Sequence, residues 1–160
     1  MTPGLRFAVG ECTAESIRAH LSACDGEFHP ALSARVHIDE YAAKLAVRAV
    51  TFEAWSAEVL VGLVAVYVAR EAGTLYVSNV SVLPGHARRG IAGALLRRAL
   101  EHGRAWGLSS ALLEVSARND RALWMYIGLG FRATGGDGDR VSLQLALGLR
   151  GEERQGEVPA

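Results

Sequence analysis

The segment from Leu75 to Trp106 constrains the fold more than any other part of the chain. Leu75 to Leu83 reads as a strand that Pro84 ends, and from Gly90 to Trp106 the apolar residues Ile91, Leu95, Leu96 and Leu100 recur on a helical stripe. Only the loop Pro84-Gly-His-Ala-Arg-Arg-Gly90 joins the two. Strand, tight loop and helix in this order point to an α/β or α+β domain built on one sheet.

The flanking segments agree. Leu5 to Val9 is short and β-compatible, and Thr13 can cap a helix that carries Ile17 and Leu21 at helical spacing as far as Asp25-Gly26. Glu27 to Ser33 reads as a loop and Ile38 to Val47 as a second amphipathic helix. Val50 to Ala69 reads as a hairpin broken at Ser56-Ala57-Glu58, its second arm nearly all apolar. Beyond the central segment, Ser110 to Val115 predicts a strand, Asn119 to Tyr126 a helix, and Phe131 and Val141 to Leu147 two closing strands. An antiparallel front half therefore precedes a βαβα back half. Residues 1–148 form one domain in this reading, and 149–160, rich in Gly and Glu with no periodicity, a disordered polar tail.

A chain of 160 residues, 50% hydrophobic and 21% charged, buries a core without disulfides or metals and excludes a disordered chain or a coiled coil. Lys+Arg and Asp+Glu both total 17, which removes the long-range field that binds nucleic acid or an anionic membrane nonspecifically. Any anion must be held locally. The sole lysine, Lys44, lies outside the Gly-rich loop. Cys12 and Cys24 lack Cys-x-x-Cys spacing and read as reduced, packed thiols, and the five histidines show no ligand spacing, so no metal is expected. The N-terminus lacks a signal-peptide core and no apolar run reaches roughly 18 residues, so a cytoplasmic protein is expected.

Two segments carry chemistry. In Val80-Ser-Val-Leu-Pro-Gly-His-Ala-Arg-Arg-Gly-Ile-Ala-Gly93, a Gly-rich turn with Arg88 and Arg89 opens a helix. The first helical turn leaves N–H groups unpaired and the helix dipole adds partial positive charge, so a diphosphate is a natural ligand; Gly90, Ala92 and Gly93 leave it room. The competing reading is a plain turn with solvated arginines. Leu113 to Phe131 then supplies a carboxylate (Glu114), an amide (Asn119) and a phenol (Tyr126). Asn119 equally suits a helix cap, and Tyr126 equally suits a core aromatic. Gly128-Leu-Gly130 lacks the third glycine of a dinucleotide fingerprint, and no Gly-x-Ser-x-Gly elbow exists.

Together these segments, spanning Val80 to Phe131, resemble the GNAT (Gcn5-related N-acetyltransferase) superfamily: strand Val-x-Val-x-Pro, loop Arg-Arg-Gly-x-Ala, then Asn-x-x-Ala-x-x-Met-Tyr-x-x-Leu-Gly-Phe. The resemblance implies a mixed, mostly antiparallel sheet flanked by about four helices, with strands splayed at an acetyl-CoA site. It implies that Ser81 and Val82 offer strand amides to the thioester and pantetheine, and that Arg88, Arg89, Gly90, Ile91, Ala92 and Gly93 wrap the pyrophosphate. Asn119 would bond the pantetheine arm and Tyr126 would protonate the departing CoA thiolate. The family signature opens with Gln or Arg where this chain has Ala87, which removes one side-chain contact and leaves the amide cradle.

Leu-Glu-Val followed by Ala-x-Asn also resembles the bacterial ribosomal-protein N-terminal alanine acetyltransferases, which makes Glu114 the general-base candidate. The chemistry has its own logic, because an ammonium must lose a proton before it attacks a thioester, and a carboxylate in the apolar run 111–115 is expected to be desolvated. The competing reading puts Glu114 on an exposed sheet face or against an arginine, with Glu53 as the rival base. The expected acceptor is a primary amine attacking acetyl-CoA directly. Phe28 to Tyr41 and the hairpin loop Gly135 to Asp139 would line its pocket, and His29, Ser33, Arg35, Asp39, Tyr41 and Lys44 suit a small polar amine such as an amino sugar. The alternatives are a peptide N-terminus or a noncatalytic acyl-CoA-binding module. The apolar 59–68 strand serves as core or as an interface between copies, with a homodimer preferred.

Overall fold

The computed structural model describes residues 4–148, so the expected tail lies outside the described residues. The elements run β1 (Leu5–Val9), α1 (Ala14–Cys24), α2 (Ile38–Arg48), β2 (Val50–Ser56), β3 (Val59–Ala69), β4 (Thr74–Val82), α3 (Ile91–Ala105), β5 (Ser110–Ser116), α4 (Asp120–Gly128), β6 (Arg132–Asp137) and β7 (Arg140–Ala146). The seven strands form one mixed sheet in the order β1-β2-β3-β4-β5-β7-β6. β4 pairs with β5 in parallel, Thr74 opposite Ser110, while β1–β2, β2–β3, β5–β7 and β6–β7 are antiparallel. Among the described residues no helix is long and apolar enough to cross a membrane.

Contacts divide the described residues into two compact units, 4–67 with 78–96 and 68–77 with 97–148. In the first, Thr13 starts α1 through a capping box: its hydroxyl accepts the Ser16 N–H at 3.1 Å while Ser16 Oγ accepts the Thr13 N–H at 2.8 Å. This satisfies two N–H groups at the helix start at once. Ile17 and Leu21 of α1, Ala42 and Leu45 of α2, and Trp55, Leu60, Leu63 and Ala65 of the β2–β3 hairpin form one apolar cluster. The predicted 27–33 loop is tightened by two short 3-10 turns, Asp25–Glu27 and Leu32–Ala34. The Asp25 carboxylate ties them, accepting the Ser33 N–H and Oγ–H at 2.7 Å each.

Gly62 explains the one gap in the apolar run of β3. A Cβ there would sit 2.7 Å from Ile91 Cγ2 and 3.2 Å from Leu95 Cδ1, so glycine is what lets the start of α3 lie against the strand. In the second unit, Leu75, Leu100, Leu108, Ala111, Leu113, Phe131, Leu143 and Leu147 are buried. One expectation changes here. The Gly135 to Asp139 loop is shorter than the sequence suggested, because β6 continues to Asp137 and only Gly138 and Asp139 turn. Gly136 allows this, since a Cβ on it would lie 2.6 Å from the Arg140 carbonyl oxygen.

Candidate active site

The first unit holds the predicted anion loop. β4 ends at Val82, the Leu83 N–H donates to the Val61 carbonyl at 2.9 Å, and Pro84–His86 makes a 3-10 turn closed by His86 N–H to Leu83 O at 2.8 Å. Two residues then adopt left-handed backbone, Arg88 at φ +65° and Gly90 at φ +79°. For Gly90 this costs little, whereas for Arg88 it costs about 1–3 kcal/mol that the fold must offset. The Ala94 N–H donates to the Gly90 carbonyl at 3.0 Å, so the amides of Ile91, Ala92 and Gly93 belong to the first helical turn and have no intrahelical acceptor. Arg88, Arg89 and Gly90 are exposed, and no atom would crowd a Cβ on Gly85 or Gly90. His86 Nδ1 is buried without a hydrogen-bond partner, an orphaned donor or acceptor in the same loop. Open space, free amides and exposed guanidinium groups at one helix start fit a diphosphate.

Ser81, one residue before the end of β4, is buried with its hydroxyl turned toward α1. His20 Nε2 lies 2.8 Å from Ser81 Oγ, His20 Nδ1 lies 2.8 Å from the Leu60 carbonyl, and Asn79 Nδ2 donates to Ser81 Oγ at 2.8 Å. Burial holds the His20 pKa below its ordinary value, so the ring is neutral near pH 7. The sequence reading missed His20 and Asn79. The signals were present: His20 shares a helical stripe with Ile17, Leu21 and Cys24, and Asn79 continues the buried alternation of Leu75 and Val77.

Glu53, the rival base, is fully buried on β2. One carboxylate oxygen accepts from the Glu11 N–H at 2.9 Å, the Cys12 N–H at 3.0 Å and Thr51 Oγ1 at 2.6 Å, and the other from Trp55 Nε1 at 2.9 Å. Burial alone would push its pKa up, but bonds from Thr51, Cys12 and Trp55 outweigh burial and hold it below the ordinary value. Such a carboxylate stays ionised and fastens the β1–α1 turn to β2. The nearby Cys12 thiol is pushed up to about 12 by burial and stays protonated.

The second unit holds Glu114, Asn119 and Tyr126. The burial expected for Glu114 is absent: its side chain is 49% exposed, because it occupies the outward position between buried Leu113 and Val115. Arg140 Nε stands 4.0 Å from its carboxylate, and Arg140 Nη2 donates to the Glu114 carbonyl at 3.3 Å. Asn119 caps α4, its Oδ1 accepting the Ala122 N–H at 3.2 Å. Its amide N–H₂ plays no part in that bond. Tyr126 is buried edge-on to Phe131 with ring centroids 5.8 Å apart. Burial raises the pKa of its phenol and the Arg140 charge opposes that rise. Arg140 thus neighbours one candidate directly and acts on the other through its charge, a residue that no motif marked.

Of the residues expected around an acceptor, three are engaged inside the first unit, and one of them, Lys44, holds its Nζ 5.6 Å from the centre of the Tyr67 ring. Ser33 is tied to Asp25, and Tyr41 Oη lies 2.6 Å from Ser78 Oγ and donates to the Ser78 carbonyl at 3.0 Å. A hollow of about 360 Å³ at the start of α2 is lined by Ser33, Val36, His37, Ile38, Asp39 and Glu40.

β4 runs into the start of α3 on a seven-stranded mixed sheet, and comparison with known proteins makes the family explicit. Residues 14–131 match the acetyltransferase (GNAT) family, and the chain belongs to it. Over 59 residues the chain is 49% identical to the mycothiol acetyltransferase of Frankia casuarinae, an alignment covering 37% of this chain and 17% of that relative. The PaiA N-acetyltransferase of Thermoplasma acidophilum, solved in complex with coenzyme A, is similar in fold, with TM-score 0.71 and 14% identity over 88% of this chain and 99% of that one. The ribosomal-protein-S18-alanine N-acetyltransferase of Escherichia coli is similar with TM-score 0.69 and 20% identity over 92% and 97%. At these identities the two solved structures share the fold.

Proposed function

We propose that this chain transfers the acetyl group of acetyl-CoA to a primary amine by direct attack. The observation that carries the reading is the β4–loop–α3 junction of a GNAT-family chain, where left-handed Gly90 and exposed Arg88 and Arg89 stand at a helix start and no atom crowds Gly85 or Gly90. The PaiA relative, solved with coenzyme A, supports the same ligand. Acetyl-CoA supplies an activated thioester. The amides of Ser81 and Val82 polarise its carbonyl, and those of Ile91 to Gly93 with Arg88 and Arg89 hold the pyrophosphate. The Asn119 N–H₂ group, not used by the cap, bonds the pantetheine arm. Tyr126, whose raised pKa keeps the phenol protonated at neutral pH, holds the proton a leaving thiolate requires.

For the base, Glu114 is favoured over Glu53. Four donors already occupy the Glu53 oxygens, while the Glu114 carboxylate is half-exposed and open to an approaching ammonium. The acceptor in this proposal is a small polar amine such as an amino sugar, since the hollow at the start of α2 presents Asp39 and Glu40, which attract a cation. Thermal unfolding with acetyl-CoA, CoA, NAD and ATP tests the cofactor. At ~100 times the dissociation constant, acetyl-CoA should raise the midpoint by roughly 5–11 °C, with NAD and ATP inert. Acetylation assays on amino sugars and on short peptides with a free N-terminal alanine then separate a small acceptor from a protein. Binding without acetylation of any amine would favour an acyl-CoA-binding module.

A further inference from the structure

We infer that His20 is a positioning residue that holds residues 79–82 of β4 in place through the Ser81 hydroxyl. The Leu60 carbonyl can only accept, so His20 Nδ1, 2.8 Å away, carries the proton. In a neutral ring Nε2 is then an acceptor, and Ser81 Oγ at 2.8 Å donates to it. With its one hydrogen committed, Ser81 Oγ receives the Asn79 amide at 2.8 Å. The chain therefore runs in one direction, Asn79 to Ser81 to His20 to Leu60, and joins α1, β3 and β4 inside the first unit.

His20 is 3% exposed, Asn79 4% and Ser81 7%, so water does not readily replace a lost member. Cys24 Sγ also faces that nitrogen, 3.7 Å from His20 Nε2; its thiol is pushed up to about 12, first by burial and then by the charge of Glu27, so it stays neutral beside the ring. Protonated His20 would turn Nε2 into a donor toward a hydroxyl already receiving Asn79, and the Ser81 hydrogen would lose its acceptor. The neutral ring is the form that fits. The functional consequence rests on the proposed acetyl-CoA reading, in which the Ser81 and Val82 amides meet the acyl carbonyl. A preorganised donor must not shift as charge develops, and the side-chain chain beneath this strand supplies that stiffness.

The test compares the wild type with His20→Gln, His20→Leu and Ser81→Ala, using amide hydrogen exchange on the free protein and calorimetric titration with acetyl-CoA. Glutamine can donate to Leu60 and accept from Ser81, whereas leucine fills space and does neither. In His20→Leu, exchange at 79–82 should rise about tenfold or more while β2 amides stay unchanged, and acetyl-CoA affinity should fall by a similar factor. His20→Gln should return both to within about threefold of wild type. Ser81→Ala breaks the chain from its other end, should loosen the same amides, and serves if the leucine variant does not fold. Unchanged exchange at 79–82 in both His20→Leu and Ser81→Ala overturns the inference, as does a glutamine variant as loose as the leucine one. If wild type fails to bind acetyl-CoA, the functional reading falls, while the exchange data still decide what His20 does to the strand.

Discussion

Glu53 on β2 and Glu114 on β5 stand in similar surroundings in the sequence, each between apolar residues of a strand, yet the structure treats them in opposite ways. Glu53 is fully buried and receives two main-chain amides, a hydroxyl and an indole. Glu114 is half-exposed beside one arginine at 4.0 Å. The difference teaches that burial of a carboxylate does not make a base. Where enough donors converge, the ionised form is stabilised and the group becomes a fastener; a carboxylate that faces solvent and an arginine at 4.0 Å is not tied down in that way.

The largest expected effect concerns Tyr126, the proposed proton donor. Tyr126→Phe keeps the packing on Phe131 and removes the phenol, so kcat for acetyl transfer should fall about 100-fold or more with an unchanged unfolding midpoint. A variant with wild-type turnover would remove Tyr126 from the mechanism. Next is Glu53→Gln, which strips the charge from a saturated buried site and should cost about 3 kcal/mol, lowering the midpoint by roughly 6–12 °C. The pH dependence sharpens this. Because the folded pKa of Glu53 is depressed, its stabilisation is fully present above its ordinary value near 4.5 and is lost as pH falls through the folded value. Denaturant unfolding should therefore show an acid-labile component in wild type that the glutamine variant lacks.

Gly62→Ala tests how closely α3 must approach β3. With Ile91 Cγ2 at 2.7 Å from the new Cβ, overpacking should cost about 1–3 kcal/mol and weaken acetyl-CoA binding by moving the start of α3. The smallest change in stability belongs to Glu114→Gln, within about 0.5 kcal/mol of wild type because the side chain is half-exposed, while kcat falls about tenfold. The comparison breaks if Glu114→Gln unfolds the protein or if Glu53→Gln leaves it stable.

His20 adds a milder pH effect with its own sign. Its folded pKa lies below the ordinary 6.5, so as pH drops below about 6.5 the unfolded chain takes up a proton that the folded chain refuses. Stability should decline from there toward the folded value, and His20→Gln should flatten that part of the profile.

Most of the elements were legible because their signals are local. Thr13 marks the start of α1, the Ser56-Ala57-Glu58 break separates β2 from β3, with Ala57 in left-handed backbone at φ 53°, and Pro84 follows the end of β4. The family, too, was readable, since the two segments that carry the resemblance, between Val80 and Phe131, are each short local patterns. The extent of β6 was not, because a run of glycines signals a loop from sequence while the close approach of Gly136 to Arg140 makes strand pairing possible.

By itself, the order of apolar and polar residues determined the helices, the strands and the junction where an anion can sit, because turns, caps and periodicity act between neighbours in the chain. Tertiary structure alone decided what each buried polar group does. Glu53 meets the Glu11 and Cys12 amides 42 and 41 positions away, and His20 meets Leu60 and Ser81 at separations of 40 and 61. Whether a carboxylate or an imidazole fastens, orients or exchanges protons depends on how many donors and acceptors converge on it, and that number exists only once distant strands and helices are packed together.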